Sequence, residues 1–231
     1  LFVQLLSGSL SEYRRATNSW WENIEQRAPE LRERPVYFVS SNTHSLRNLL
    51  TGYALRHRPE ILGYLHQSGN ELLLKEWNSI ESGEIPASEE NFLYYALKKF
   101  QSVDENRSSL EDQENNERAA GIQRIFSEHS FDVEAQVFDL RKLNCDWVDP
   151  RLKFCDGQTV ASFADQLRKS DDIILKIDYP LGLSAYNLLA EIAEQVGKVL
   201  GVYILGKAAS LNGAIGDIVV PNVVHDEHSR N

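Results

Sequence analysis

The stretch Gly201-Val-Tyr-Ile-Leu-Gly-Lys-Ala-Ala-Ser-Leu-Asn-Gly-Ala-Ile-Gly-Asp-Ile-Val-Val-Pro221 reads as strand, small-residue turn, strand. Val202 to Leu205 are apolar and rich in β-formers, which predicts a buried central strand. Gly206, Ala208, Ala209 and Ser210 follow with almost no side chain, so a ligand can approach the backbone closely there. Asn212-Gly213 is a turn signal, and Ile218 to Val220 is expected to form a second strand. Lys207 is the only cation in the element. It reads either as an exposed lysine beside a tight turn or as an anion-binding group reaching the Ser40 to Ser45 turn.

Working outward, the chain alternates strands and helices. Ile173 to Ile177 is an apolar strand, Asp178-Tyr-Pro-Leu-Gly182 a turn, and Ser184 to Leu200 an amphipathic helix. Far upstream, Val36 to Val39 is a short strand running into Ser40-Ser-Asn-Thr-His-Ser45 and a helix from about Leu46 to His57. Between them, Val133 to Leu140 alternates like a strand, and Thr159 to Arg168 carries a helical apolar face. The segment ending at Ile125-Phe126 reads as a helix. The predicted fold class is α/β, a mostly parallel central sheet flanked by helices, in a single domain spanning 1–231. Residues 1–33 form a helical N-terminal extension and 59–101 a helical insertion. Ser102 to Arg118 holds six acids, two bases and no aromatic residue, which predicts an acidic flexible loop.

In such sheets ligands bind beyond the carboxyl ends of the strands. Three turns lie there: Ser40 to Ser45, Asp178 to Gly182 and Gly206 to Ser210. Ser40, Ser41, Asn42, Thr43 and His44 place hydroxyls, an amide and an imidazole at a helix start, where free N–H groups attract anions. Helix capping accounts for one or two of these residues; anion binding accounts for the run. Tyr179 and Asp178 either stack on a base and bind hydroxyls or simply close the pocket.

The turn at 206–211 with Gly216-Asp-Ile-Val-Val220, and the strand, Gly182 turn and helix upstream, resemble the nucleoside phosphorylase and nucleosidase superfamily over residues 172–231. The resemblance implies a phosphorylase-like fold, cleavage of an N-glycosidic bond of a nucleoside or nucleotide, and a homo-oligomer. It implies phosphate or water at Ser40, Ser41, Asn42, Thr43, His44 and Lys207, with phosphate as a co-substrate and no other cofactor. It places sugar and base against Asp178, Tyr179, Gly182, Gly206, Ala208, Ala209 and Ser210. The chain departs from the family in carrying Lys207 for a small hydroxyl residue and Ala209 and Ser210 for two glycines. The catalytic acid is not assignable. Loss of those glycines favours a second reading, a non-catalytic module that binds a nucleotide or other phosphorylated metabolite.

Composition narrows the classes. A net charge of −10 disfavours nucleic acid and anionic membranes as partners. No apolar run approaches the roughly 20 residues that span a bilayer. Two cysteines, Cys145 and Cys155, make neither a disulfide framework nor a metal knuckle, and a cytoplasmic setting is expected. In His225-Asp-Glu-His228 a strand would put no more than two ligands on one face, so no metal site is expected. Neither a Gly-x-Ser-x-Gly, a Walker A nor a Gly-x-Gly-x-x-Gly occurs, which disfavours a serine hydrolase, a P-loop NTPase and an NAD enzyme. The chain holds no Met and stops ten residues past Pro221, short of where the resembled family carries its acidic groups, so it reads either as a fragment or as other than a complete enzyme of that type.

Overall fold

The computed structural model describes residues 10–127, 133–152, 159–180, 182–206, 213–214 and 217–223. In chain order the elements are α1 (Leu10–Arg27), β1 (Pro35–Ser40), α2 (Ser45–Thr51), α3 (Tyr53–Arg56), α4 (Arg58–Gln67), α5 (Glu71–Glu81), α6 (Glu89–Gln101) and α7 (Arg107–Ala119). They continue with β2 (Ile122–Ile125), β3 (Ala135–Asp139), α8 (Val160–Lys169), β4 (Ile173–Ile177), α9 (Leu183–Gln195) and β5 (Lys198–Ile204). The fold is α/β: one five-stranded sheet in the order β2-β3-β4-β1-β5, with helices on its faces.

The sheet is mixed rather than mostly parallel. β1 pairs in parallel with β4 and β5, whereas β3 is antiparallel to both β4 and β2. For β2 and β3 the reason is local. Only residues 126–134 join β2 to β3, too short a link for a parallel crossover, which needs a dozen or more residues.

Register sorts the two faces. Val137, Leu175 and Phe38 lie in one row across β3, β4 and β1. They face α1 and α9, where Trp20, Trp21, Ile24, Leu188 and Ile192 complete the main core. Trp20 and Trp21 are 1% and 2% exposed, the largest apolar bodies in this layer. The Trp20 indole N–H donates to Val133 O at 3.0 Å and so ties α1 to the approach of β3. On the opposite face Phe138 and Ile174 pack with Leu50, Ala120 and Ile122. Helices α3 to α6 hold a third core of their own, built on Tyr53, Ile61, Leu65, Trp77, Phe92 and Leu93.

Several expectations change. The acidic stretch 102–118 is largely the helix α7, not a loop. Its inward face is polar: Gln113 and Glu117 are buried, with Gln101 Nε2 donating to Gln113 Oε1 at 2.9 Å and Gln113 Nε2 to Glu117 Oε1 at 3.1 Å. A helix that buries amides and a carboxylate leaves no apolar stripe to read. Ile125 ends a strand instead of a helix. The helix expected to reach Leu200 stops at Gln195, and Gly197 explains the break. A Cβ there would lie 2.5 Å from Arg32 O, so only glycine lets β5 start beside that loop. β5 is an edge strand with Tyr203 and Ile204 exposed, not a buried central one. Asp217 to Val220 is unpaired among the described residues, and Ile218 is 91% exposed. No helix among the described residues is long and apolar enough to cross a membrane.

Candidate functional site

β1 and its parallel neighbours β4 and β5 end together, and their following turns meet. Ser41 N donates to Ile177 O at 3.0 Å, Ser40 Oγ to Asp178 O at 3.3 Å, and Leu205 N to Ser40 O at 2.9 Å. A Cβ on Gly206 would lie 3.9 Å from the Tyr179 ring. The structure therefore brings together Ser40, Ser41, Asp178, Tyr179 and Gly206. Gly182 precedes α9 with φ +56, a backbone that favours glycine. Lys207, Ala208, Ala209 and Ser210 lie outside the described residues, as does His225 to His228.

Most polar atoms of the first turn hold the turn itself. Asn42 Oδ1 accepts from the backbone N–H groups of His44 and Ser45 at 3.2 and 2.7 Å, an Asx cap on α2. Ser41 Oγ donates to Asn42 O, and Thr43 O accepts from Gln136 Nε2 at 2.7 Å. His44 and Ser45 are the members of the turn that face a cavity.

That cavity is a cleft of about 500 Å³ between α2, α6, α7 and β2. Five cationic or imidazole side chains line it: His44, Arg47, Lys98, Arg124 and Arg151, with Tyr94 among them. No described Asp or Glu lines it. The carboxylates stand behind the wall. Glu117, 2% exposed, binds Arg47 Nη1 at 3.0 Å and Arg124 Nε at 3.3 Å. Asp149 holds Arg151 through two contacts at 2.8 and 2.9 Å and accepts from the Tyr94 hydroxyl at 2.8 Å. Burial and the Asp149 bond push the Tyr94 phenol up. Lys98 is exposed and makes no ion pair among the described residues. Burial, then the charges of Lys98, Arg47 and Lys176, pull the His44 imidazole below its ordinary value, so it is neutral at pH 7.

Behind the first turn sits Lys176, 0% exposed, in register with Val39 and Gln136. Gln136 Nε2 also donates to Glu134 Oε1 at 2.7 Å.

Sequence reasoning missed Arg47, Lys98, Arg124, Arg151 and Lys176. A signal existed for one wall: Asn91, Tyr94, Tyr95, Lys98 and Gln101 recur at intervals of three and four along α6. Lys176 stands out within Ile173-Ile-Leu-Lys-Ile177. Among the described residues no three His, Cys, Asp or Glu side chains gather as metal ligands would.

Comparison with curated proteins and with solved structures finds no match. A family profile, described as a family of unknown function (DUF6909), matches residues 1–231, and the chain belongs to that family.

Proposed function

We propose, since family membership assigns no activity, that this chain binds a phosphorylated small molecule in the basic cleft beside the Ser40 to Ser45 turn. One observation carries the reading: a chain of net charge −10 turns five cationic or imidazole side chains, and no described carboxylate, into a single cleft. Arginine forks match phosphate oxygens in pairs, and a lysine adds a point charge. The volume suits a metabolite of nucleotide size. Tyr95, 48% exposed on the cleft wall, offers a flat surface for a base or sugar.

The test is calorimetric titration with ribose 5-phosphate and with adenosine monophosphate. Lys98 is exposed and makes no ion pair among the described residues, so Lys98→Ala leaves the fold intact. Losing one charge-assisted bond costs about 1.5–3 kcal/mol, a weakening of tenfold or more. Absence of binding to either compound, or equal affinity in the variant, sinks the reading.

A second reading, cleavage of an N-glycosidic bond of a nucleoside or nucleotide, draws support from the meeting of the Ser40, Asp178 and Gly206 turns at one end of the sheet. Release of free base from a panel of nucleosides and nucleotides separates the two. Binding with no base release leaves the module alone.

A further inference from the structure

Lys176 has the least ordinary surroundings of any described charge. Its side chain is fully buried near the carboxyl end of β4. An ammonium has three protons to donate. Its one hydrogen-bond partner among the described residues is Gln136 Oε1, and at 3.4 Å that bond is long. It makes no ion pair among the described residues. The titratable and charged groups near it come from every neighbouring segment: Glu134 before β3, Asp178 after β4, Arg47 from α2 and His44 from the first turn. Two of these four, His44 and Arg47, also line the basic cleft. A buried charge without a close counter-ion is costly, and its field is weakly screened by water. Lys176 thus stands as a cation directly behind the turn that walls the cleft, with no anion in contact among the described residues.

We propose that Lys176 is a binding determinant of the cleft: a phosphate group bound at His44 and Arg47 is the anion its ammonium lacks, and the amine takes up a proton as that group arrives. The inference rests on the proposed phosphate site. It requires no contact between ligand and lysine, because the attraction acts through the intervening low-dielectric wall.

The proton follows from the electrostatics. Burial pushes the free amine down to about 8, with Glu134 and Asp178 opposing and Arg47 adding to the fall. A bound anion stabilises the ammonium and raises that value. Binding is then strongest below about pH 8 and weakens as the pH rises through the bound-state value. A phosphomonoester is already dianionic there, its second ionisation lying near pH 6. Proton uptake at His44 instead would persist when Lys176 is removed, so the variant below separates the two.

The experiment is titration calorimetry with ribose 5-phosphate near pH 8, in two buffers of different ionisation enthalpy. Wild type is expected to take up roughly half a proton on binding, falling towards zero near pH 7, where the amine is already mostly charged and the phosphate still mostly dianionic. Lys176→Met keeps the volume and removes a buried charge, so it is expected to fold. It should bind severalfold more weakly and take up no proton. Binding without proton uptake, or uptake that persists in the variant, overturns this inference and leaves the phosphate site standing. No binding to wild type overturns both. Should the variant not fold, the ε-methylene resonance of Lys176 in wild type serves instead. Its titration midpoint must move upward with ribose 5-phosphate, and an unmoved midpoint refutes the coupling.

Discussion

Asp139 closes β3 in a nearly buried position, and two guanidinium groups hold it. Arg34 donates to its Oδ1 at 2.8 Å, and Arg141 reaches both oxygens at 3.2 and 3.3 Å. Burial alone would raise this carboxyl; the bonds and charges of Arg34 and Arg141 outweigh it and hold the group well below the usual carboxylate range. A depressed native value stabilises the fold above the unfolded value of about 3.9, and the contribution fades as the pH falls below it. Asp139→Asn leaves Arg34, 7% exposed, without its buried counter-charge, and is expected to cost about 3 kcal/mol or more. Urea denaturation at pH 7 measures the loss, and the gap to wild type should narrow below about pH 4. An equal gap at both pH values would show that the pair is not the cause. Residues of this kind were only half legible. Lys176 was visible as a lysine in an apolar strand, yet its burial depends on Gln136 and Thr43, which the chain brings in from two other segments. Ser41 and Asn42 were legible as a polar cluster, but the use of Asn42 in capping the start of α2 and of Ser41 in bracing the turn depends on geometry that residue types do not carry.

At the scale of elements, those that bury an apolar face were readable. β4 falls on the expected Ile173 to Ile177, and β1 within a residue of its expected ends. The reading failed where burial is polar or where one pattern runs across a boundary. Val196 and Val199 continue the apolar stripe of α9 past Gly197, so the helix seemed longer than it is. Helix α7 was invisible because its inward residues are Gln113 and Glu117. The same feature makes α7 the rear wall of the cleft and ties stability to ligand affinity with opposite signs. Glu117→Ala strips Arg47 and Arg124 of their buried partner and should cost about 3–5 kcal/mol. It also leaves the Arg47 guanidinium facing the cleft without a counter-charge among the described residues, while Arg124 keeps Glu114 at 2.5 Å. Affinity for ribose 5-phosphate should therefore rise severalfold in the surviving folded protein. Denaturation and calorimetry on one preparation check both signs, and a variant that loses affinity along with stability would contradict the account.

For the whole molecule, the topological class could be inferred from alternation, but strand direction could not. Whether β3 runs with or against β2 is decided by the short link 126–134, and no periodicity reports it. The sheet also leaves a free margin. β5 pairs only with β1 among the described residues, and Val202, Tyr203 and Ile204 are 45%, 54% and 71% exposed. An open apolar edge is a template for another strand. If association of copies uses it, Ile204→Lys shifts the protein towards monomer in sedimentation velocity over a concentration series. An unchanged distribution would place any association elsewhere. The three cores differ in another respect, the distance along the chain that each must bridge. Helices α3 to α6 build theirs from consecutive segments, whereas the Arg34 to Asp171 contact beside the β1–β4 pairing joins residues 137 positions apart. Closing so long a loop has an entropic cost before the sheet returns any stability, while neighbouring helices meet at once. During refolding the helical amides around Trp77 and Phe92 should gain protection from pulsed hydrogen exchange before those of β1 and β4. The cleft, whose walls come from both parts, then forms last.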